Sequence, residues 1–283
     1  MNLAMKPMNA DPRFSARRFV PKLRAAVAPV LALVRLAPLL LRVRTDPELR
    51  SIQRSYLGWM PLCLFSEPGR WLRLVAASPR RFGHPAQRPH SFYAPHLNGF
   101  PFRRPDSISM FLEQSFAEIA AEFARVAHLQ VIAPSAVLVD AGAWNTYPLM
   151  RSGQRSDEHI AHCPATWAAA KRCPLPEGVR GGVYFSIMSP GTRVHPHCGP
   201  SNLKLRYHLC IEEAHGARIR SGHEWRSWHR GECLILDDSF EHEVVHDGET
   251  RRVVLIVDCW HPDLSEKERD FLARVHGTWR TSA

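Results

Sequence analysis

Two histidine-bearing stretches in the C-terminal half have residue types and spacing that could do chemistry. They are T-R-V-H-P-H-C-G-P-S-N at 192–202, with His195 and His197, and F-E-H-E-V-V-H-D-G at 240–248, with His242 and His246. The second contains H-E-x-x-H, a pattern in which two histidines on one helix face hold zinc and the glutamate serves as the general base of a peptidase. That chemistry requires a helix, and the flanking residues argue against one. Asp237 and Asp238 precede the pattern, Asp247-Gly248 is a turn signal after it, and Val253 to Val257 is a β-branched apolar run. The roughly 10 residues of a metal-binding helix do not fit between them. On a strand, His242, Val244 and His246 face one way and Glu243 and Val245 the other, so the glutamate points away from a metal on His242. The zinc peptidase becomes a distant alternative.

Imidazoles on two separate strands can instead converge on a shared metal. His197 and His242 are the candidate pair, and a first-row ion such as Fe(II) accepts imidazole beside oxygen donors while leaving positions for substrate. Cys198, next to His197, points the other way on a strand, whereas His195 shares a strand face with His197 and could back the site or act as an alternative ligand. Asp237 and Asp238 are expected to cap a turn or support the ligands from behind, and His246 and His261 to be structural.

The elements that must position these residues can be read from periodicity. From Gly181 onward the period is two: Tyr184 to Met188, Leu203 to Ile211, Arg218 to Arg220, Glu224 to Trp228, Cys233 to Leu236, His242 to His246 and Arg252 to Cys259 read as short strands of a sandwich or barrel. Upstream, Leu112, Phe116, Ile119, Phe123 and Val126 give one apolar face to a helix over about 107–128, with Glu113, Glu118 and Glu122 off it. A basic, proline-rich stretch from Pro79 to Pro89 suggests a boundary, dividing the chain into an extension, 1–88, and a domain, 89–283.

Charge supports that division. Residues 1–88 carry 16 Lys/Arg against 4 Asp/Glu, while 89–283 carry 21 against 23, so the formal +10 belongs to the extension. The apolar run Ala25 to Val34, interrupted soon after by Arg35 and Pro38, is too short to span a bilayer, which takes about 20 apolar residues. Flanked by Arg35, Arg42 and Arg44, it could lie on one, so peripheral membrane contact through residues 22–44 is the expectation, with no nucleic-acid partner. Seven cysteines, odd in number and without a C-x-x-C pair, suggest free thiols in a reducing, cytoplasmic setting.

The stretch from Phe185 to Leu264 resembles the aspartyl/asparaginyl β-hydroxylase family of Fe(II)/2-oxoglutarate dioxygenases. The shared pieces are S-I-M-S-P-G-T, H-x-G-P-S/T-N, L-R-x-H-L at 205–209, W-x-x-G-E, L-I-L-D-D-S-F-E-H-E-V and R-V-V-L-I-V-D-x-W-H-P. Weaker matches upstream, F-Y-A-P-H-L, G-A-W-N-T-Y and C-P-A-T, extend the resemblance to about residues 90–270.

The resemblance implies a mainly β fold, a double-stranded β-helix (jelly-roll or cupin-like) core with flanking α-helices, here with a helical N-terminal extension. It implies Fe(II), 2-oxoglutarate and dioxygen as cofactors and an aspartyl or asparaginyl side chain of a peptide or protein as substrate. By position, His197 and His242 would be the catalytic metal ligands, Ser186, His208 and Arg252 would hold 2-oxoglutarate, and Arg206, Lys204, Trp144 and Arg151 would meet substrate. An Arg fork with a serine hydroxyl suits a carboxylate, and Lys204, Arg206 and His208 share one strand face. Where most such iron enzymes have an acid two residues after the first histidine, this chain has Gly199. The family's hydroxylases tolerate that, and related halogenases bind chloride in the gap. Halogenation, a lipid acyl chain or small molecule as substrate, and a non-catalytic binding module are therefore the alternatives.

Overall fold

The structure, a computed structural model, describes residues 82–90, 92–176 and 180–280. The proposed membrane-contact segment, 22–44, lies outside the described residues. Among the described residues no helix is long and apolar enough to cross a membrane.

The elements follow in the order β1 (Phe102–Arg103), α1 (Ser107–Gln114), α2 (Phe116–Val126), β2 (Val131–Ile132), β3 (Val139–Ala141), β4 (Trp144–Arg151), β5 (Gln154–Arg155), α3 (Asp157–His162), α4 (Pro164–Lys171), β6 (Val183–Met188), β7 (Arg193–His197), β8 (Lys204–Glu212), β9 (Ala217–Ser221), β10 (Glu224–Ser227), β11 (Cys233–Leu236), β12 (His242–His246), β13 (Arg252–Trp260) and α5 (Glu266–Arg280). The strands form two antiparallel sheets. One runs β1-β11-β8-β13-β6-β4-β2, with β5 on β4, and the other runs β10-β9-β12-β7-β3. Together they make the double-stranded β-helix.

Period-two alternation divides the large sheet into two working faces. Phe185, Leu205, Leu209, Leu255 and Val257 pack outward against Ile119 and Phe123 of α2 and Trp167 of α4. Met188, Cys210, Val254 and Ile256 face inward to Val194, Ile219 and Val244 of the small sheet. The alternate register that buries Leu205, Leu209 and Leu255 outside therefore sends Lys204, Arg206, His208 and Arg252 inside. Because β13 is buried throughout, its near-continuous apolar run is that of a central strand.

The helical segment is two helices. The chain breaks at Ser115, whose hydroxyl donates back to the Phe111 carbonyl at 3.0 Å, and the apolar face continues through Ile119, Phe123 and Val126. Asp106 starts α1 with a capping box shared with Ser109. Its other oxygen accepts from Tyr207 Oη at 2.7 Å, pinning α1 to β8. Glu122 departs from the sequence reading. It is buried, and its carboxylate accepts from the Ala165 and Thr166 amides at 2.8 and 2.7 Å. It thus caps the exposed amides at the start of α4 from a neighbouring helix. Gln87, just before the expected boundary at residue 89, also packs on the barrel: it is buried and donates to Asp237 Oδ2 and Ser239 Oγ at 3.2 and 2.9 Å.

Candidate active site

His197 and His242 are direct cross-strand partners of β7 and β12. Their ring centroids are 4.2 Å apart and their planes inclined at 51°. Each ring is fixed by its own Nδ1–H, which donates to a backbone carbonyl two residues earlier: His195 O for His197 and Phe240 O for His242, both at 2.8 Å. This puts the proton of both rings on Nδ1 and leaves the Nε2 lone pairs without a hydrogen-bond partner among the described residues, the tautomer a metal ligand requires. Burial, reinforced by the neighbouring His197, pushes His242 down to about 3, and burial also lowers His197. Both are neutral bases at pH 7.

The strand register explains why His195 is not beside them. A bulge between Val194 and His197, where β12 advances two residues and β7 three, breaks the alternation. His195 consequently points outward and meets Asp140 Oδ1 at 2.7 Å; the expected common face with His197 is not formed. His246 does lie on the inner side of β12, but its Nε2 donates to Thr250 O at 2.8 Å and its Nδ1 accepts from Gly248 N at 3.2 Å, so neither nitrogen is available. Glu243 turns outward to the Arg220 guanidinium. The H-E-x-x-H pattern is therefore a strand, and its geometry rules out a zinc peptidase centre.

Deeper in the barrel, Arg252 is buried. Its Nη1 approaches Ser186 O and Oγ at 3.4 Å, and its guanidinium lies 4.5 Å from the Trp228 ring centroid. Burial lowers it to about 10, still cationic at neutral pH. Trp228 Nε1 donates to His208 Nδ1 at 3.3 Å, which puts the His208 proton on Nε2. Arg252 Nε–H and His208 Nε2–H are both buried donors without an acceptor among the described residues. Unmet buried donors are costly, and two of them beside a cation call for an anionic acceptor. The donor set fits the carboxylates of 2-oxoglutarate. Sequence reasoning gives Trp228 no role, although its W-x-x-G-E motif is a recognisable signal. Trp144 also reaches this region, donating from Nε1 to Ser186 Oγ at 3.0 Å.

Lys204 occupies a different place from the other predicted substrate contacts. It is 1% exposed, with its ammonium 2.8 Å from Asp238 Oδ2 and 3.2 Å from Asp258 Oδ1. Arg206 shares both acids, at 3.3 and 2.9 Å, but remains partly accessible. Burial by itself would raise the Asp238 pKa, but Lys204 followed by Arg206 overcomes this, holding its carboxyl well below the usual range. Asp238 is thus an anion beside the histidines, next to Gly199, whose amide donates to Asp238 O at 2.6 Å. Asp237 caps the turn, accepting from the Ser239 amide at 3.0 Å.

Arg206 faces a cleft of about 200 Å³ that also includes Trp144 and Arg151, together with Thr146, Tyr184 and Arg180. The structure thus brings together three of the four predicted substrate contacts and adds Arg180.

Two antiparallel sheets with paired histidines on β7 and β12 and a buried guanidinium on β13 define a jelly-roll protein with a candidate metal and anion site. Residues 113–262 match the family model Aspartyl/Asparaginyl beta-hydroxylase, and the chain belongs to that family. It is 39% identical over 140 residues to human "Aspartyl/asparaginyl beta-hydroxylase", covering 49% of this chain and 18% of the relative. It is 32% identical over 199 residues to mouse "Aspartate beta-hydroxylase domain-containing protein 2", covering 66% and 58%. The chain thus spans less than two thirds of these relatives. Among solved structures it is similar to a Pseudomonas putida prolyl-4-hydroxylase (TM-score 0.34, 14% identity, covering 53% of this chain and 87% of that one). It is also similar to the epimerase SnoN from nogalamycin biosynthesis (TM-score 0.35, 15% identity, covering 66% and 81%).

Proposed function

We propose that this protein is an Fe(II)- and 2-oxoglutarate-dependent dioxygenase that hydroxylates a C–H bond of an aspartyl or asparaginyl side chain in a peptide. The single observation that carries this reading is the paired His197 and His242 rings with both Nε2 lone pairs free, in the same barrel as the unmatched donors of Arg252 and His208. His197 and His242 would hold the iron, while Arg252, Ser186 and His208 would hold 2-oxoglutarate. When bound, iron and cosubstrate supply dioxygen activation coupled to oxidative decarboxylation. The protein's own residues do the positioning. Arg252 neutralises a carboxylate away from water, Trp228 stacks beneath its guanidinium, Trp144 orients the Ser186 hydroxyl, and Arg206 offers cationic donors to an acidic substrate.

Halogenation would need an anion-accepting gap at Gly199. That space adjoins the ionised Asp238, which would repel chloride, so hydroxylation is the favoured outcome. The test is incubation of the protein with Fe(II), 2-oxoglutarate and ascorbate, with and without Asp- and Asn-containing peptides. Succinate should form and a peptide should gain the mass of one oxygen. Absence of iron-dependent succinate would overturn the reading, and oxygen gain confined to a lipid pool would replace its substrate.

A further inference from the structure

The cleft beside Arg206 has more positive charge than recognition of one carboxylate requires. Arg151, Arg180 and Arg206 all line it, and its one acidic wall residue is Asp258. Asp258 is already engaged: Oδ1 takes Lys204 and Arg206, at 3.2 and 2.9 Å, and Oδ2 accepts the Gly182 amide at 2.9 Å. Among the described residues, Arg151 and Arg180 have no ionic partner. Arg151 bends back along β4 and donates from Nη2 to Thr146 Oγ1 at 3.4 Å. Thr146 also lines the cleft, so this contact holds the exposed Arg151 guanidinium at the cleft wall.

The approach to this cleft suits an extended chain. β2 is the last strand of the large sheet, with its outer edge unpaired among the described residues. Val131 and Ile132 on it are 45% and 75% exposed, and Ala133 and Ser135, which follow directly, line the cleft. An open strand edge can add a peptide through backbone hydrogen bonds, while side-chain pockets give specificity.

We propose that Arg151 and Arg180 form a second anion subsite in this cleft, which takes a second acidic side chain of an extended peptide, near the one held by Arg206. The inference rests on the proposed function for the identity of the reacting residue, but its binding chemistry stands separately. The substrate class is then an acidic peptide segment with two carboxylates, not an isolated aspartyl or asparaginyl residue.

The experiment compares two labelled peptides by fluorescence anisotropy on the full chain with Fe(II) and 2-oxoglutarate. One carries an aspartate with a second acidic residue within three positions; in the other the second acid is its amide. The di-acidic peptide should bind roughly tenfold tighter, a preference that weakens with salt. Arg151→Gln and Arg180→Gln should each cut the preference severalfold, and Arg180→Lys should restore much of it. Because the ratio is measured within one variant, a general loss of folding cannot imitate this pattern; a variant that binds neither peptide is judged by Arg180→Lys. Equal affinity for the two peptides in the unmodified protein, or a ratio unaltered by both Gln variants, overturns the subsite. Arginine-dependent binding to phosphatidylglycerol vesicles in preference to the di-acidic peptide overturns it too. If charge discrimination holds but no succinate forms, the subsite stands and the dioxygenase reading fails. Succinate without discrimination is the reverse.

Discussion

A β-carbon on Gly199 would lie 2.5 Å from the carboxyl carbon of Asp238 and 2.6 and 2.7 Å from its two oxygens. The Asp238 carboxylate is buried and pinned by Lys204 and Arg206, so it cannot swing away. The missing acid after His197 is therefore a packing consequence: an acid from the turn before β12 already fills the space. Gly199→Asp should destabilise the fold by about 1–3 kcal/mol through overpacking, before any charge repulsion, and should not tighten metal binding. A melting curve with an Fe(II) titration checks both. A variant that melts normally and binds iron more tightly would contradict this account.

His242→Ala and Arg252→Ala should lower iron- and 2-oxoglutarate-dependent succinate release by about a hundredfold or more, because loss of either misplaces the reacting groups. Arg252→Lys keeps the charge but not the fork, and should recover only part of the affinity for 2-oxoglutarate. Glu243→Ala, by contrast, disrupts an outward ion pair with Arg220 and should leave turnover within a few-fold. The measurement is succinate release across a 2-oxoglutarate series. Parity of Glu243→Ala with His242→Ala would refute the site as assigned.

How far the sequence reveals this site depends on which interactions are local. Alternation placed Lys204, Arg206 and His208 on one face and His242 apart from Glu243, because a strand's period is independent of what it pairs with. It misplaced His195, since a bulge between Val194 and His197 is set by the partner strand. It could not foresee that Glu122 caps α4 or that Lys204 is enclosed by Asp238 and Asp258, for these depend on acids 34 to 54 residues away or on a separate helix. β4 is hard to read from sequence because Pro148 interrupts it, although a proline at a register irregularity is compatible with a strand.

Lys204→Met should be among the most damaging single changes. Removing the ammonium leaves Asp238 and Asp258 with Arg206 as their remaining cationic partner in the cluster, and breaking a buried pair by deleting one member typically costs about 3–5 kcal/mol. Chemical denaturation should show that loss in the midpoint with little change in slope. A change below 1 kcal/mol would mean that water or Arg206 compensates more than the burial allows.

Asp237 makes stability depend on pH in the direction opposite to a paired carboxylate. It is buried, and burial raises it from 3.8 to about 7 despite hydrogen bonds from Ser239. The folded chain therefore holds this proton more tightly than the unfolded one. Between about pH 4 and 7 unfolding releases it, so this residue's contribution declines as pH rises through that window and reaches its minimum above about 7. Asp237→Asn keeps an acceptor for the Ser239 amide but removes the ionisation. Urea unfolding of metal-free protein at pH 5 and pH 8 should show the variant gaining on the parent at pH 8, with the gap narrowing or reversing at pH 5. Other titrating groups cancel in the variant-minus-parent difference, so a difference that is the same at both values would place the Asp237 proton elsewhere.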